Sequence, residues 1–207
     1  MIETRKVFIK NGDIVLEGLI DAPPGETRSG VVLCHPHPLY GGEMTNALIA
    51  KTAKVLAERG FTALRFNFRG VGGSGGVHDG GSGEIGDALC ALDFLASLPG
   101  MEKLHLLGYS FGSVVGLKAA GNDPRVEKLV GFAPPVTSME MGTAGFSAKS
   151  KFFVWGTLDE HALPADRDKW YGALPEPKKM ALFQGCDHFF GGFVRAAAEE
   201  AAQFLET

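Results

Sequence analysis

Only three cysteines occur in 207 residues, Cys34, Cys90 and Cys186. Their number is odd and no C-x-x-C spacing is present, which excludes a disulfide framework or a thiolate zinc site and points to a reducing, cytoplasmic setting. Long apolar runs are missing as well. No stretch approaches the roughly 18 apolar residues of a membrane span, and the charged segment Met1-Ile2-Glu3-Thr4-Arg5-Lys6 precedes no apolar core of a signal peptide. A soluble, unexported protein without a membrane partner is expected. Nor is there an excess of positive charge: 20 Lys and Arg stand against 24 Asp and Glu, scattered along the chain, for a net charge of −4. That leaves no electrostatic footprint for a nucleic-acid partner. Repeats, low-complexity tracts and linkers are absent too. With 45% hydrophobic content, the length suits one well-buried core, a single α/β domain over residues 1–207.

What is present is an alternation of short apolar strands and longer helical patterns. Lys6-Val7-Phe8-Ile9 and Ile14 to Ile20 flank Asn11-Gly12, a hairpin signal. Strands are then predicted at Gly30–Cys34, Phe61–Phe68, Lys103–Leu107, Val126–Phe132, Lys151–Trp155 and Met180–Phe183. Helices are predicted at Met44–Arg59 (closed by Gly60), Glu84–Ser97, Ser110–Ala120, Asp166–Ala173 and Gly192–Leu205. Repeated β-α-β units with fully apolar strands imply a doubly wound, mostly parallel sheet covered on both faces by helices.

The chemistry concentrates at Gly108-Tyr109-Ser110-Phe111-Gly112, between a predicted strand and a predicted helix. This is a G-x-S-x-G elbow: the chain turns so sharply at the serine that side chains two residues to either side would collide with backbone, hence the two glycines. The turn exposes the Ser110 hydroxyl at a helix N-terminus, where the Phe111 N–H can face a developing oxyanion. A nucleophilic serine needs a base and an acid. Asp159 follows the strand Phe152–Trp155 in the turn Gly156-Thr157-Leu158-Asp159, and His188 follows the strand Met180–Phe183 in Gln184-Gly185-Cys186-Asp187-His188. Both stand where open α/β sheets build their sites, and the order Ser110, Asp159, His188 is that of the α/β-hydrolases. Competing carboxylates read more simply. Glu84 and Asp87 fall in a first helical turn, where negative charge complements the dipole, Asp79 belongs to a glycine-rich loop, and Asp187 points away from its neighbour His188.

Over essentially its whole length the chain resembles the α/β-hydrolase superfamily. Two further segments, Cys34-His35-Pro36-His37-Pro38-Leu39-Tyr40-Gly41-Gly42 and Arg65-Phe66-Asn67-Phe68-Arg69-Gly70-Val71-Gly72-Gly73-Ser74-Gly75, resemble its small, lidless bacterial serine hydrolases, the esterase and dienelactone-hydrolase-like group. Dienelactone hydrolases proper use a cysteine nucleophile, so Ser110 does not carry their activity over. The resemblance implies a second oxyanion N–H from the loop 35–42. Pro36 and Pro38 have none to give, which leaves His37, Leu39 and Tyr40. In related H-G-x loops the donor stands two residues after the histidine, which favours His37. Leu39, Tyr40 and Tyr109 are the expected substrate contacts. His35 and His37 have no acidic or cysteine partner at ligand spacing, so no metal is expected. His78, His105 and His161 read as loop, core or rim residues, and Cys34 and Cys186 as bystanders beside the site.

Between Pro135 and Lys151 only 15 residues remain where larger relatives insert a cap. The expected cleft is therefore open, walled by residues 37–43, 71–82 and 134–147, with Met139, Met141 and Phe146 either at its rim or packed beneath a loop. Gly70–Gly83 matches neither phosphate-binding glycine pattern, so no cofactor is expected. The sequence thus predicts a serine esterase acting on small or flexible acyl groups, a monomer or homodimer. A thioesterase or peptidase with the same triad, or a noncatalytic binding module, are the alternatives.

Overall fold

A computed structural model of the chain describes residues 1–121, 123–142 and 149–207. Among the described residues the strands are β1 (Glu3–Asn11), β2 (Ile14–Ala22), β3 (Ser29–Cys34), β4 (Thr62–Phe66), β5 (Lys103–Tyr109), β6 (Val126–Phe132), β7 (Ser150–Gly156) and β8 (Lys178–Phe183). The helices are α1 (Ala47–Glu58), α2 (Ser82–Ala96), α3 (Phe111–Gly121), α4 (Pro164–Ala173) and α5 (Val194–Glu206). None is long and apolar enough to cross a membrane.

The strands form one sheet in the order β1-β2-β4-β3-β5-β6-β7-β8. β1 and β2 pair as the antiparallel hairpin expected from Asn11-Gly12, with Gly12 at φ 58° in the turn, and β2 joins β4 antiparallel. All later pairings are parallel. From β3 the chain crosses to β4 on one side, and from β4 it returns past β3 to β5. Right-handed crossovers in opposite directions place α1 and α2 on opposite faces. α5 packs with α1, and α3 with α2. The chain direction therefore switches between β3 and β5, and a crevice opens at the carboxyl ends of those two strands, where α/β sheets bind ligands.

The central strands bury nearly all of their side chains for the same reason. Val31, Val32, Leu33 and Cys34 of β3, Leu106 and Leu107 of β5 and Phe153, Val154 and Trp155 of β7 face helices on one side or the other and are fully sealed. Phe132 and Trp155 are core, as expected; the Trp155 indole N–H donates to the Pro134 carbonyl at 3.0 Å.

Among the predicted boundaries that shift, two show a clear local reason. α1 starts at Ala47 because Asn46 caps it, its side-chain oxygen accepting the N–H groups of Leu48 and Ile49. Met44, three residues earlier, is held instead by its N–H to Asn67 Oδ1 at 2.8 Å. Beyond β4 the Asn67 N–H still reaches β2, donating to the Glu17 carbonyl, but the Phe68 N–H turns away to Nε2 of His35.

Candidate active site

β5 runs into α3 through Ser110, whose φ is +52°, a left-handed conformation that costs a serine on the order of 1–2 kcal/mol. The neighbours hold it there. The Ser110 N–H donates to the Phe132 carbonyl of β6 at 2.9 Å, and its own carbonyl accepts from the N–H and hydroxyl of Ser113. A Cβ on Gly108 would overlap the Gly112 backbone, and one on Gly112 would overlap the carbonyls of Cys34 and His35. The two glycines thus permit the turn and let it press against the end of β3.

Ser110, Asp159 and His188 meet across this crevice. His188 Nε2 lies 2.9 Å from Ser110 Oγ, and Nδ1 lies 2.9 and 3.0 Å from the two carboxylate oxygens of Asp159. A carboxylate only accepts, so Nδ1–H donates and Nε2 is left as the acceptor for the serine hydroxyl. Asp159 is sealed from solvent, and Oδ1 also accepts the His161 N–H at 2.9 Å. The loops after β7 and β8 are tied to one another by Thr157 N–H to the Phe183 carbonyl and Leu158 N–H to the Cys186 carbonyl. Asp187 stays outside the constellation: it is exposed, and Oδ1 accepts the Phe189 N–H.

Among the described residues the N–H groups of Phe111 and His37 have no protein acceptor, whereas Leu39 N–H is taken by His37 Nδ1 and Tyr40 N–H by the His37 carbonyl. Of the three candidates in the loop after β3, His37 alone keeps its donor free. Its ring packs on Phe111 with centroids 4.8 Å apart, so the two chain segments adjoin. Leu39 and Tyr40 are exposed at this rim, at 72% and 87% of their full accessibility, joined by Val77, Leu158 and Phe189 from the loops after β4, β7 and β8.

Tyr109 departs from expectation. Instead of lining the cleft it is buried, and its hydroxyl donates to the His188 carbonyl at 2.9 Å. It braces the loop that carries the histidine; burial, reinforced by the nearby Asp159, holds its phenol well above the ordinary tyrosine range. Met139 and Met141 pack against the core, and Phe146 lies outside the described residues.

Glu84 and Asp87 correct the simple dipole reading, because both carboxylates are sealed from solvent. Asp87 takes the Arg69 guanidinium and N–H together with the Asn11 amide. Glu84 accepts from His78 Nδ1 at 2.7 Å and from the N–H groups of Asp79 and Gly81. Arg65, within β4, is architectural in the same way: it forms a buried ion pair with Asp21 at 2.7 Å.

His35 is occupied on both nitrogens, Nδ1 toward the Pro36 carbonyl and Nε2 accepting the Phe68 N–H. Burial lowers its pKa to about 4, and the Phe68 N–H occupies the one lone pair that the neutral ring could offer a metal. Among the described residues no group of three or more His, Cys, Asp or Glu is arranged to hold one. Burial also raises the thiol pKa values of Cys34 and Cys186, the latter to about 11, so neither is a ready thiolate.

Comparison with known proteins matches residues 25–184 to a hydrolase family described as "Serine aminopeptidase, S33". An uncharacterised protein of Rickettsia prowazekii is 33% identical over 168 residues, covering 77% of this chain and 71% of its own. Among solved structures, an α/β serine hydrolase without a lid from Xanthomonas campestris superposes with a TM-score of 0.89 at 26% identity, covering 99% of this chain and 94% of its own. An α/β serine hydrolase homologue from Coxiella burnetii gives 0.85 at 31% identity, covering 97% of both chains.

Proposed function

Because the chain belongs to the serine aminopeptidase S33 family within the α/β-hydrolase superfamily, we propose that it is a serine hydrolase cleaving carboxylic esters of small or flexible acyl groups through an acyl-enzyme on Ser110. The observation that carries this reading is the unbroken line from Asp159 through His188 to the Ser110 hydroxyl, with contacts of 2.9 Å at each step.

The chemistry follows from the atoms. Ser110 Oγ attacks the acyl carbon as its proton passes to His188 Nε2, and Asp159 balances the charge of the imidazolium. The carbonyl oxygen, now an anion, is received by the free N–H groups of Phe111 and His37. When the tetrahedral adduct collapses, the imidazolium returns the proton to the departing alkoxide, and the alcohol leaves. Water then repeats the cycle with His188 as base, releasing the carboxylic acid and restoring Ser110. The connection between β6 and β7, residues 133–149, is too short for a cap domain, and the rim of Leu39, Tyr40, Val77, Leu158 and Phe189 suits apolar acyl or alcohol groups. No step calls for a metal or cofactor.

The family's description also includes peptide bonds, and the same triad accepts an amine leaving group. Turnover of p-nitrophenyl esters from acetate to decanoate, beside aminoacyl p-nitroanilides, separates the two. Ester turnover with negligible anilide cleavage is expected; anilide cleavage without ester turnover would replace the esterase reading with a peptidase one.

A further inference from the structure

Outside the proposed triad, a second histidine stands on a buried carboxylate. His78 Nδ1 lies 2.7 Å from Glu84. A carboxylate only accepts, so Nδ1 carries the hydrogen, and in the neutral ring Nε2 presents a lone pair. His37, with ring centroids 5.0 Å away, is set the other way round. Its Nδ1 accepts the Leu39 N–H at 3.2 Å, which places its hydrogen on Nε2. Burial and the neighbouring His78 hold the His37 pKa below the ordinary histidine value, favouring that neutral form. Neither Nε2 has a protein partner among the described residues, and neither is sealed from solvent, since the buried unpartnered side-chain nitrogen there is Nδ1 of His105. Both rings pack on Phe111, at 4.8 and 5.6 Å, next to Ser110 in the chain. Exposed Leu39, Tyr40 and Val77 belong to the same two loops.

We infer that His37 and His78 form a subsite for a hydroxyl group, so that the preferred ester carries a hydroxyl on an otherwise apolar acyl or alcohol part; the inference rests on the ester-cleaving reading above. A hydroxyl oxygen both accepts, as the His37 N–H requires, and donates, as the His78 lone pair requires. A methyl leaves both nitrogens without partners once water is displaced, and an ammonium satisfies only the acceptor. A carboxylate satisfies only the donor, and it would face Asp79, Glu84 and Asp87, against which the Arg69 guanidinium is set.

The test is kcat/KM at pH 8 for matched methyl esters: phenylacetate against 4-hydroxyphenylacetate, hexanoate against 6-hydroxyhexanoate, and the monomethyl ester of adipic acid as the anionic probe. The hydroxylated member of at least one pair should be favoured by roughly tenfold, the worth of one well-made hydrogen bond, and the anionic ester should fall below hexanoate. His78→Phe should bring the hydroxyl ratio close to one. Glu84→Gln, whose amide can donate to Nδ1 and move the hydrogen to Nε2, should lower the ratio by a second route. Ratios near one for both pairs in the wild-type protein, or a preference that survives both substitutions, would overturn the subsite alone. Absence of turnover on every ester would overturn the esterase reading and the subsite with it.

Discussion

The two histidine–carboxylate pairs beside this cleft, Asp159–His188 and Glu84–His78, are close to identical as local objects. In each, a carboxylate sealed from solvent lies within 3.0 Å of an imidazole Nδ1, also accepts from backbone N–H (one at Asp159, two at Glu84), and the ring stands at the carboxyl end of the parallel strands. They differ at the far nitrogen. His188 Nε2 faces a serine hydroxyl held on a strained turn, whereas His78 Nε2 has no protein partner among the described residues and its ring packs beside another imidazole. On the proposed reading the same carboxylate-oriented imidazole serves two ends, and the group placed opposite decides whether it moves a proton or binds a hydroxyl.

Substitution of the two acids should separate the pairs most widely. Asp159→Asn should lower kcat on p-nitrophenyl esters by about 10⁴-fold, since the amide favours the wrong tautomer of His188. Glu84→Gln should cost about tenfold at most on the same esters, as it reorients a ring that carries no proton in the reaction. Comparable losses would erase the distinction drawn between the pairs.

Histidines without a carboxylate form the other side of the comparison. His35 and His105 are buried, and burial lowers the pKa of each to about 4; neighbouring lysines reinforce the effect at His105. In the unfolded chain each takes up its proton near a pH of about 6.5. Between those values the unfolded state binds more protons, so their contribution to stability is complete above about pH 6.5 and is lost as the pH falls toward 4. The slope is at most about 1.4 kcal/mol per pH unit for each histidine. Urea unfolding midpoints between pH 8 and 4 should show this loss, and His105→Leu should flatten it. An unchanged slope would mean that His105 is protonated in the native state.

Smaller effects sharpen the picture around His188. Tyr109→Phe deletes the hydrogen bond to the His188 carbonyl and should cost about 1 kcal/mol of stability, read from denaturant midpoints, with a loss in kcat of about threefold. Asp187→Asn should change kcat by less than about twofold, because that carboxylate caps the loop and does not touch the ring.

The sheet, the elbow and the order of serine, acid and histidine were legible because each is a local signal: strand, turn, then a reactive residue. For the second oxyanion N–H the two prolines left His37, Leu39 and Tyr40 open, and only the resemblance to H-G-x loops favoured His37. Glu84 and Asp87 were not legible, since a carboxylate near a helix start reads as a solvated dipole partner until Arg69 and His78 are seen to enclose it. Tyr109 was misjudged for a similar reason. Its position beside the serine suggests the cleft, but its partner is 79 residues away, and only the packing of the last loop against β5 turns it inward.

The central claim, that the Asp159–His188 pair activates Ser110, is tested most directly by intact-protein mass spectrometry after incubation with a fluorophosphonate, on wild type and Ser110→Ala. One adduct on the wild-type protein, none on the variant and slow labelling of Asp159→Asn are the results predicted. A folded wild-type protein that takes up no adduct, or a Ser110→Ala variant that still does, would contradict it.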